Sequence, residues 1–376
     1  MRGSGLRWST RPFSKQAIRN LYFRAVSFQV SQSFTLLGVA EPYSAPVRVT
    51  RTNYCSDQRG QRPGLAASRS YESVAMTDHA TTPTPLVTVV IPCHRGGPFL
   101  RAAVKSVQEQ SQQAWELIVV SDGSDDDFSD IEGSDSRIRV VRQPNRGVSI
   151  ARNVGVRLAR AELVTLLDED DRMLPELLDM QLMAMADDDV GMCHAQFEFI
   201  DEAGRVTETG RSNDAQYVDL LRGAGQIRLS STMVRKSAFH DLGGFNPLLP
   251  VSEDLDLFYR MARFYRVAFI PQVLVQYRIH GSNMQANSRS GGRELRHILR
   301  SHLYLATAKN EQESIRAIRH GLSIIPSDRG ARAIGRVVKA RANGQHLRLM
   351  GAYVTALMVS PIATLRLTQR ELRSKD

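Results

Sequence analysis

"LVTLLDEDDRM", residues 163–173, decides how the rest of the chain is read. Its first five residues are apolar or β-branched, as in a strand buried on both faces. Asp168, Glu169, Asp170 and Asp171 follow at once. Carboxylates this close repel one another, so such a cluster is expected to face a cation. Oxygen ligands at alternate positions, Asp168 and Asp170, suit a hard divalent ion where a strand gives way to a turn.

The same pattern recurs upstream. "LVTVVIP" (86–92) and "WELIVVSDG" (115–123) read as buried strands, and "IRVVRQP" (138–144) as a short third one. "FLRAAVKSVQEQ" (99–110) and "GVSIARNVGVRLARA" (147–161) have helical spacing. With 162–171 as the fourth strand, the order is that of an α/β fold with a mostly parallel sheet flanked by helices. Ligands bind such sheets at the carboxyl ends of the strands. Here those ends carry Cys93-His94-Arg95, Ser121-Asp122-Gly123 and the acidic run, and parallel strands would bring all three to one crevice.

Downstream, 175–186 reads as a helix begun by Pro175, and 191–201 as a strand. Residues 231–245 read as a strand and short helix. "SEDLDLFYRMARF" (252–264) reads as a helix with Ser252 as its N-cap. Residues 266–281 read as β structure interrupted by Pro271, and 290–376 as a helical region. Met180, Met183, Met185 and Tyr277 are expected in the core. The uncharged stretch 349–365, flanked by Arg348 and Arg366, is too short and too interrupted to span a bilayer. It suits an interfacial helix, and with it peripheral association with a membrane face.

Composition narrows the class. Of 376 residues, 42% are hydrophobic and 23% charged, as in a globular protein. Three widely spaced cysteines, Cys55, Cys93 and Cys193, suggest neither a disulfide framework nor a zinc site, and point to a reducing, cytoplasmic compartment. The net charge of +10 is concentrated at the N-terminus, where residues 1–75 hold 11 Lys and Arg against 3 Asp and Glu. The rest is nearly neutral, so no nucleic-acid partner is expected. Residues 1–80 read as an extension with no fold of its own. Its Arg- and Ser-rich composition also fits a transit peptide, and Met76 is a plausible true start.

Taken together, "VTVVIPCHRGGPFLRAAVKSVQEQS" (87–111), "ELIVVSDGSDD" (116–126), "NRGVSIARNVGVRLARAELVTLLDEDD" (145–171), "SEDLDLFYRMAR" (252–263) and "YRIHGSNM" (277–284) resemble family 2 glycosyltransferases of the GT-A fold. The resemblance covers about residues 86–285. It implies inverting transfer of a sugar from a nucleoside diphosphate, assisted by Mn2+ or Mg2+. By that resemblance Pro92 and His94 wall the nucleotide base, and Asp122 hydrogen-bonds it. Ser121 stands where many members have a further aspartate. Asp168 and Asp170, with Asp171 following, are the metal-binding Asp-x-Asp, and His280 of Arg278-x-His280 adds a ligand or closes over the diphosphate. Asp254 is the general base. The Gln-x-x-Arg-Trp of processive members is absent, because the last tryptophan is Trp115.

A diphosphate next to a breaking bond needs its charge neutralised, which a divalent ion does. One carboxylate, Asp254, suffices to deprotonate an attacking hydroxyl in a single displacement. Its competing reading is favourable placement of an acid in a first helical turn. Arg152 and Asn153 either steady the diphosphate or the acidic loop, or brace the helix against the sheet. A UDP-sugar is the favoured donor, and a glycan or lipid-linked glycan of a cell-surface polysaccharide the acceptor, entering near 230–254. The alternatives are a magnesium-dependent haloacid-dehalogenase-type phosphohydrolase, a nucleotidyltransferase, and a non-catalytic nucleotide-sugar-binding protein.

Overall fold

The computed structural model describes residues 84–281 and 291–325. The readings of residues 1–80, of a start at Met76 and of an interfacial helix over 349–365 lie outside the described residues.

From the N-terminal side run β1 (Val87–Cys93), α1 (Gly97–Gln108), β2 (Trp115–Asp122), α2 (Ser129–Glu132), β3 (Ile138–Gln143), α3 (Val148–Leu158), β4 (Leu163–Leu166) and β5 (Arg172–Met173). There follow α4 (Leu177–Ala184), β6 (Val190–Ile200), β7 (Val206–Thr209), α5 (Tyr217–Leu221), a 3-10 turn (Leu229–Ser231), β8 (Thr232–Arg235) and α6 (Lys236–Asp241). Then come α7 (Glu253–Phe264), β9 (Arg266–Arg278), α8 (Gly291–Ala308) and α9 (Gln312–Ile324). The strands form one sheet in the order β3-β2-β1-β4-β8-β6-β9-β5, with β7 beside β6.

The half containing β3, β2, β1 and β4 is parallel, as expected from the alternation of strands and helices. Beyond β4 the sheet is mixed. β8 runs antiparallel to both its neighbours, and β6 and β9 are parallel to each other. Both faces are covered, which is why β1 and β2 are buried at every position. Successive side chains point to opposite faces: Val90 joins the core under α3 and α7, Val89 and Ile91 the core under α1 and α4.

Three local readings are corrected. β4 ends at Leu166 and does not run on to 171. The chain bends at the acids: the Asp168 N–H leaves the sheet for Ser230 Oγ (3.1 Å), and the Asp171 N–H closes a turn onto the Asp168 carbonyl (3.2 Å). Pro271 does not interrupt β9, which continues from Arg266 to Arg278. The pairing jumps from Ala195–Ile270 to Gln196–Val273, and this bulge absorbs the missing N–H. Met183 is 72% exposed, because α4 buries Leu177, Leu178 and Gln181 on its other face.

α3 lies against β1 and β2 at Gly155, where an added Cβ would meet Val90 Cγ1 at 2.3 Å and Val120 Cγ2 at 3.3 Å. Alanine favours a helix over glycine by about 1 kcal/mol, but forcing a methyl into a packed interface costs about 1–3 kcal/mol. Gly155→Ala is therefore expected to lower the urea unfolding midpoint. An unchanged or raised midpoint would mean that the helix can slide away from the sheet.

Candidate active site

The strand ends do meet. A cavity of about 800 Å³ opens at the carboxyl ends of β1, β2 and β4. Its wall includes Pro92, His94, Asp122, Arg152, Asp168, Asp170, Asp254 and His280, all anticipated from the sequence. It also includes Glu169 of the acidic run and groups that sequence reasoning did not single out, among them Phe99, Asn145 and Glu253. Tyr277, expected in the core, lines the cavity as well.

Two carboxylates shape the walls by holding backbone. Asp122 Oδ1 accepts from the Arg146 N–H (2.8 Å) and Gln143 Nε2 (2.7 Å), and Oδ2 accepts from the Gly147 N–H (2.8 Å). This fixes the turn that starts α3, where Gly147 has φ 89°. Asp122 is only 3% exposed, so the anchoring work takes much of its hydrogen-bonding capacity. His94 sits across from it, with Nδ1 at 3.1 Å from the Asp122 carbonyl. Glu169, the middle residue of the acidic run, reaches the loop after β1. It accepts from the N–H groups of His94 (3.3 Å), Arg95 (3.3 Å) and Gly96 (3.0 Å). The loop that carries the strand-end acids is thereby tied to the loop at the end of β1.

The acids themselves divide. Ligand oxygens of Asp168, Asp170 and Asp171 lie within 4.8 Å of one another. Asp171 is buried behind the cavity wall, where Oδ1 accepts from the Arg278 N–H (2.9 Å) and Oδ2 from Ser230 Oγ (2.5 Å). Asp170 faces the cavity and pairs with His280 Nε2 at 2.8 Å. Burial first, and Asp168 next, push the Asp170 carboxyl above the usual carboxylate range. Burial, then Asp170 and Asp168, do the same more strongly to Asp171. A set of hard oxygen donors held together against desolvation and mutual repulsion fits a divalent cation. Asp168 and Asp170 would hold it from the cavity side, with His280 beside them. Arg278 does not reach the cavity: its guanidinium donates to the carbonyls of Asp170 (2.9 Å), Asp201 (3.0 Å) and Glu202 (3.0 Å) and covers Phe99.

Arg152, on α3, is 5% exposed and bridges two carboxylates, with Nη2 at 2.6 Å from Asp168 Oδ1 and Nη1 at 2.6 Å from Glu253 Oε1. Burial opposes its charge, yet Asp168 and Glu253 hold the guanidinium above its ordinary value. Glu253 Oε2 is buried and has no hydrogen-bond partner among the described residues. Asn153, its neighbour on α3, instead braces the fold, exchanging bonds of 2.9 Å with the Phe245 N–H and carbonyl.

Asp254 opens α7 at the cavity edge. Burial, then the charge of Glu253, raise its pKa to about 7. Asp256, two residues on, is a structural group, locked to Arg260 at 2.6 Å inside the core. Ser252 occupies the N-cap position, but its side chain caps nothing in α7. The N–H groups of Val251 (3.1 Å) and Ser252 (3.0 Å) donate instead to Glu294 Oε2 on α8. No local signal announces a partner 42 residues away.

Comparison with known proteins places this geometry. Residues 88–243 match the glycosyl transferase family 2 profile. An uncharacterised glycosyltransferase of Rickettsia felis is 28% identical over 209 residues, which are 52% of this chain and 34% of the relative. The Escherichia coli protein WfgD is 29% identical over 143 residues, 37% of this chain and 56% of WfgD. Its name describes a UDP-Glc:α-D-GlcNAc-diphosphoundecaprenol β-1,3-glucosyltransferase. The chain thus spans about a third to a half of the length of these relatives. Among solved structures, Staphylococcus aureus TarS 1–349 with UDP-GlcNAc has a TM-score of 0.54 at 16% identity, covering 73% of this chain and 81% of TarS 1–349. The fold is therefore GT-A.

The raised pKa of Asp254 has a cost in stability. Its folded value of about 7 exceeds the unfolded value near 4, so the folded state binds the extra proton. Its contribution is most favourable below about pH 4 and is lost as pH rises through about 7. Asp254→Asn removes this dependence. Relative to the parent, the variant is expected to gain on the order of 2 kcal/mol more at pH 8 than at pH 5. Equal differences in melting temperature at the two pH values would mean that Asp254 titrates as an ordinary exposed carboxylate.

Proposed function

We propose that this family 2 glycosyltransferase domain transfers a single sugar, with inversion, from a nucleoside diphosphate to a hydroxyl, and that Asp254 is the general base. The observation that carries the reading is one cavity that joins a near-neutral carboxyl, Asp254, to the clustered oxygens of Asp168 and Asp170. The name of WfgD and the UDP-GlcNAc complex of TarS favour a UDP-sugar donor. WfgD also favours a glycan carried on a lipid diphosphate as acceptor, in the building of a cell-surface polysaccharide. Transfer of one sugar at a time accords with the absence of Gln-x-x-Arg-Trp. Among the described residues no helix is long and apolar enough to cross a membrane. We place the reaction in the cytoplasm, on the ground of the three widely spaced cysteines, with contact at a membrane face made through the C-terminal region. The family match and the relatives named above give no support to the phosphohydrolase or nucleotidyltransferase alternatives.

In this mechanism Pro92, His94 and Asn145 wall the nucleoside, and Asp122 keeps the Gly147 turn in shape beside it. A divalent cation, Mn2+ or Mg2+, would neutralise the diphosphate as charge develops on it. Arg152 keeps Asp168 aimed at the cavity and screens it from Glu253. The acceptor hydroxyl oxygen attacks the anomeric carbon, its proton passes to the Asp254 carboxylate, and the bond to the diphosphate breaks with its electrons leaving on the nucleotide. Glu253 Oε2, left without a protein partner, accepts a sugar hydroxyl alongside.

Calorimetric titration with UDP, dTDP and GDP, in Mn2+ and then in EDTA, tests the donor site. One nucleotide is expected to bind only with metal, and Asp170→Ala to abolish that binding. Asp254→Asn is expected to keep nucleotide binding while lowering turnover by about 10²–10⁴-fold. A base must be ionised, so turnover should climb as pH rises through about 7. Binding of no nucleotide under either condition would overturn the reading.

A further inference from the structure

We infer that Glu294 is a positioning residue for the base, and that α8 is a working part of the active site and not an appended helix. This rests on the reading of Asp254 as base. The match to family 2 ends at residue 243, before α7 and well before α8, so nothing in it assigns a role to Glu294.

Just ahead of Asp254 the Ser252 carbonyl accepts the Asp256 N–H (3.1 Å), but the Val251 and Ser252 N–H groups find no acceptor in their own segment. Ser252 does not cap α7, and its hydroxyl donates to the Gly291 carbonyl at 3.5 Å. Glu294 supplies the missing hold, because a single oxygen, Oε2, takes both the Val251 and Ser252 N–H groups. Glu294 is 9% exposed, so these bonds work with little competition from water. Val251 lines the cavity, and Asp254 lies two residues beyond Ser252 on the first turn of α7. The carboxylate therefore holds the stretch that leads into Asp254, whose Oδ1 in turn accepts from the Leu255 N–H at 2.7 Å.

α8 can bear that load because it is locked to the body of α7 from its far end. Arg263 of α7 donates to both oxygens of Glu311 (2.9 and 3.0 Å) and to Tyr217 Oη (2.6 Å), and Tyr217 Oη lies 2.8 Å from His302 Nδ1 of α8. Ile298 and Leu299 of α8 are buried in the same core as Leu257 and Phe258 of α7. Glu294 is thus the end of a rigid strut that reaches from the C-terminal helices to the base loop.

The test needs no knowledge of the acceptor. UDP release from UDP-glucose, UDP-galactose and UDP-N-acetylglucosamine in water reads the same step: water attacks the anomeric carbon, its proton goes to Asp254, and UDP leaves. Asp254→Asn sets the zero, and UDP affinity by calorimetry reads the donor site alone. Misplacing a reacting group by about 1 Å costs on the order of 10²-fold. Glu294→Ala is expected to lower UDP release by about 10–10²-fold while UDP affinity stays within about twofold. Glu294→Gln, whose amide oxygen can accept the same two bonds, should recover most of the rate. Ile318→Ala, a cavity in the buried face of α9, should lower the melting temperature yet leave the rate unchanged well below it.

If Glu294→Ala does not fold, Glu294→Asp takes its place. It keeps the charge but is one methylene too short, so it should lose rate where Gln does not. A full rate in Glu294→Ala or Glu294→Asp would overturn the proposal. So would loss of UDP affinity in parallel with rate, or an equal loss of rate in Ile318→Ala. Failure of the parent protein to bind any of UDP, dTDP and GDP would overturn the donor reading itself, an outcome distinct from a full rate in the Glu294 variants.

Discussion

A single buried guanidinium stands between the two ends of the cavity. Arg152 touches Asp168 on one side and Glu253 on the other, at 2.6 Å each. Without it, two carboxylates would face each other in a poorly solvated site, beside Asp170 and Asp254. Removing one partner of a buried pair leaves an uncompensated charge, at a cost of about 3–5 kcal/mol. The placement also links two parts of the chain that are far apart in sequence, the loop after β4 and the start of α7. The first carries the acids suited to a cation, the second the candidate base. Their spacing follows from the length of one side chain on α3, and α3 in turn is seated against the sheet at Gly155.

The remaining acids serve shape. Asp122 and Glu169 each give their oxygens to backbone N–H groups of a neighbouring loop, and Glu294 does so for the loop before α7. A carboxylate that accepts several N–H groups is itself well satisfied, and the loop it holds loses the freedom that would blur the site. Three loops around the cavity are thus fixed by anions that belong to other segments. The net effect is a cavity rich in acids of which only part is available to a ligand. Asp168, Asp170, Glu253 and Asp254 line the cavity, while Asp171 is spent behind the wall on Ser230 and Arg278.

That division explains what could be read in advance. Buried strands ended by polar residues are a local pattern, so β1, β2, the start of β4 and the convergence of their ends were legible, as were α3 and the short β3. Asp168 and Asp170 were legible in that crevice from the pattern, and Asp254 was named only through the family resemblance. What a residue does with its second oxygen is not local. Asp122 looks from sequence like a free strand-end acid, yet it is engaged by Arg146 and Gly147. The Arg278-x-His280 segment resembles one that closes over a diphosphate, yet Arg278 holds three carbonyls. Met183 carries the same apolar signal as true core residues, and Tyr277 packs against the core as expected but also reaches the cavity. Only the path of β9 past the acidic loop, and the register of α4, decide that one lines the cavity and the other faces solvent. The antiparallel placement of β8 leaves no mark in its four residues, whose burial pattern would suit either direction.

The same crowding sets stability against function. Burial and Glu253 keep Asp254 near neutrality, which makes it a stronger base than an exposed aspartate once it has lost its proton. They also make its ionised form costly to fold around. Moving Glu253 away would relax Asp254 toward an ordinary carboxyl, but it would also deprive Arg152 of one of its two partners. Removing Arg152 would leave Asp168 and Glu253 to repel each other and raise the neighbouring acids further. Neither acid can therefore be eased alone. A cation shared by Asp168 and Asp170 would relieve this crowding, so occupancy of the acidic cluster and the protonation of Asp254 are parts of one electrostatic balance, with Arg152 at its centre.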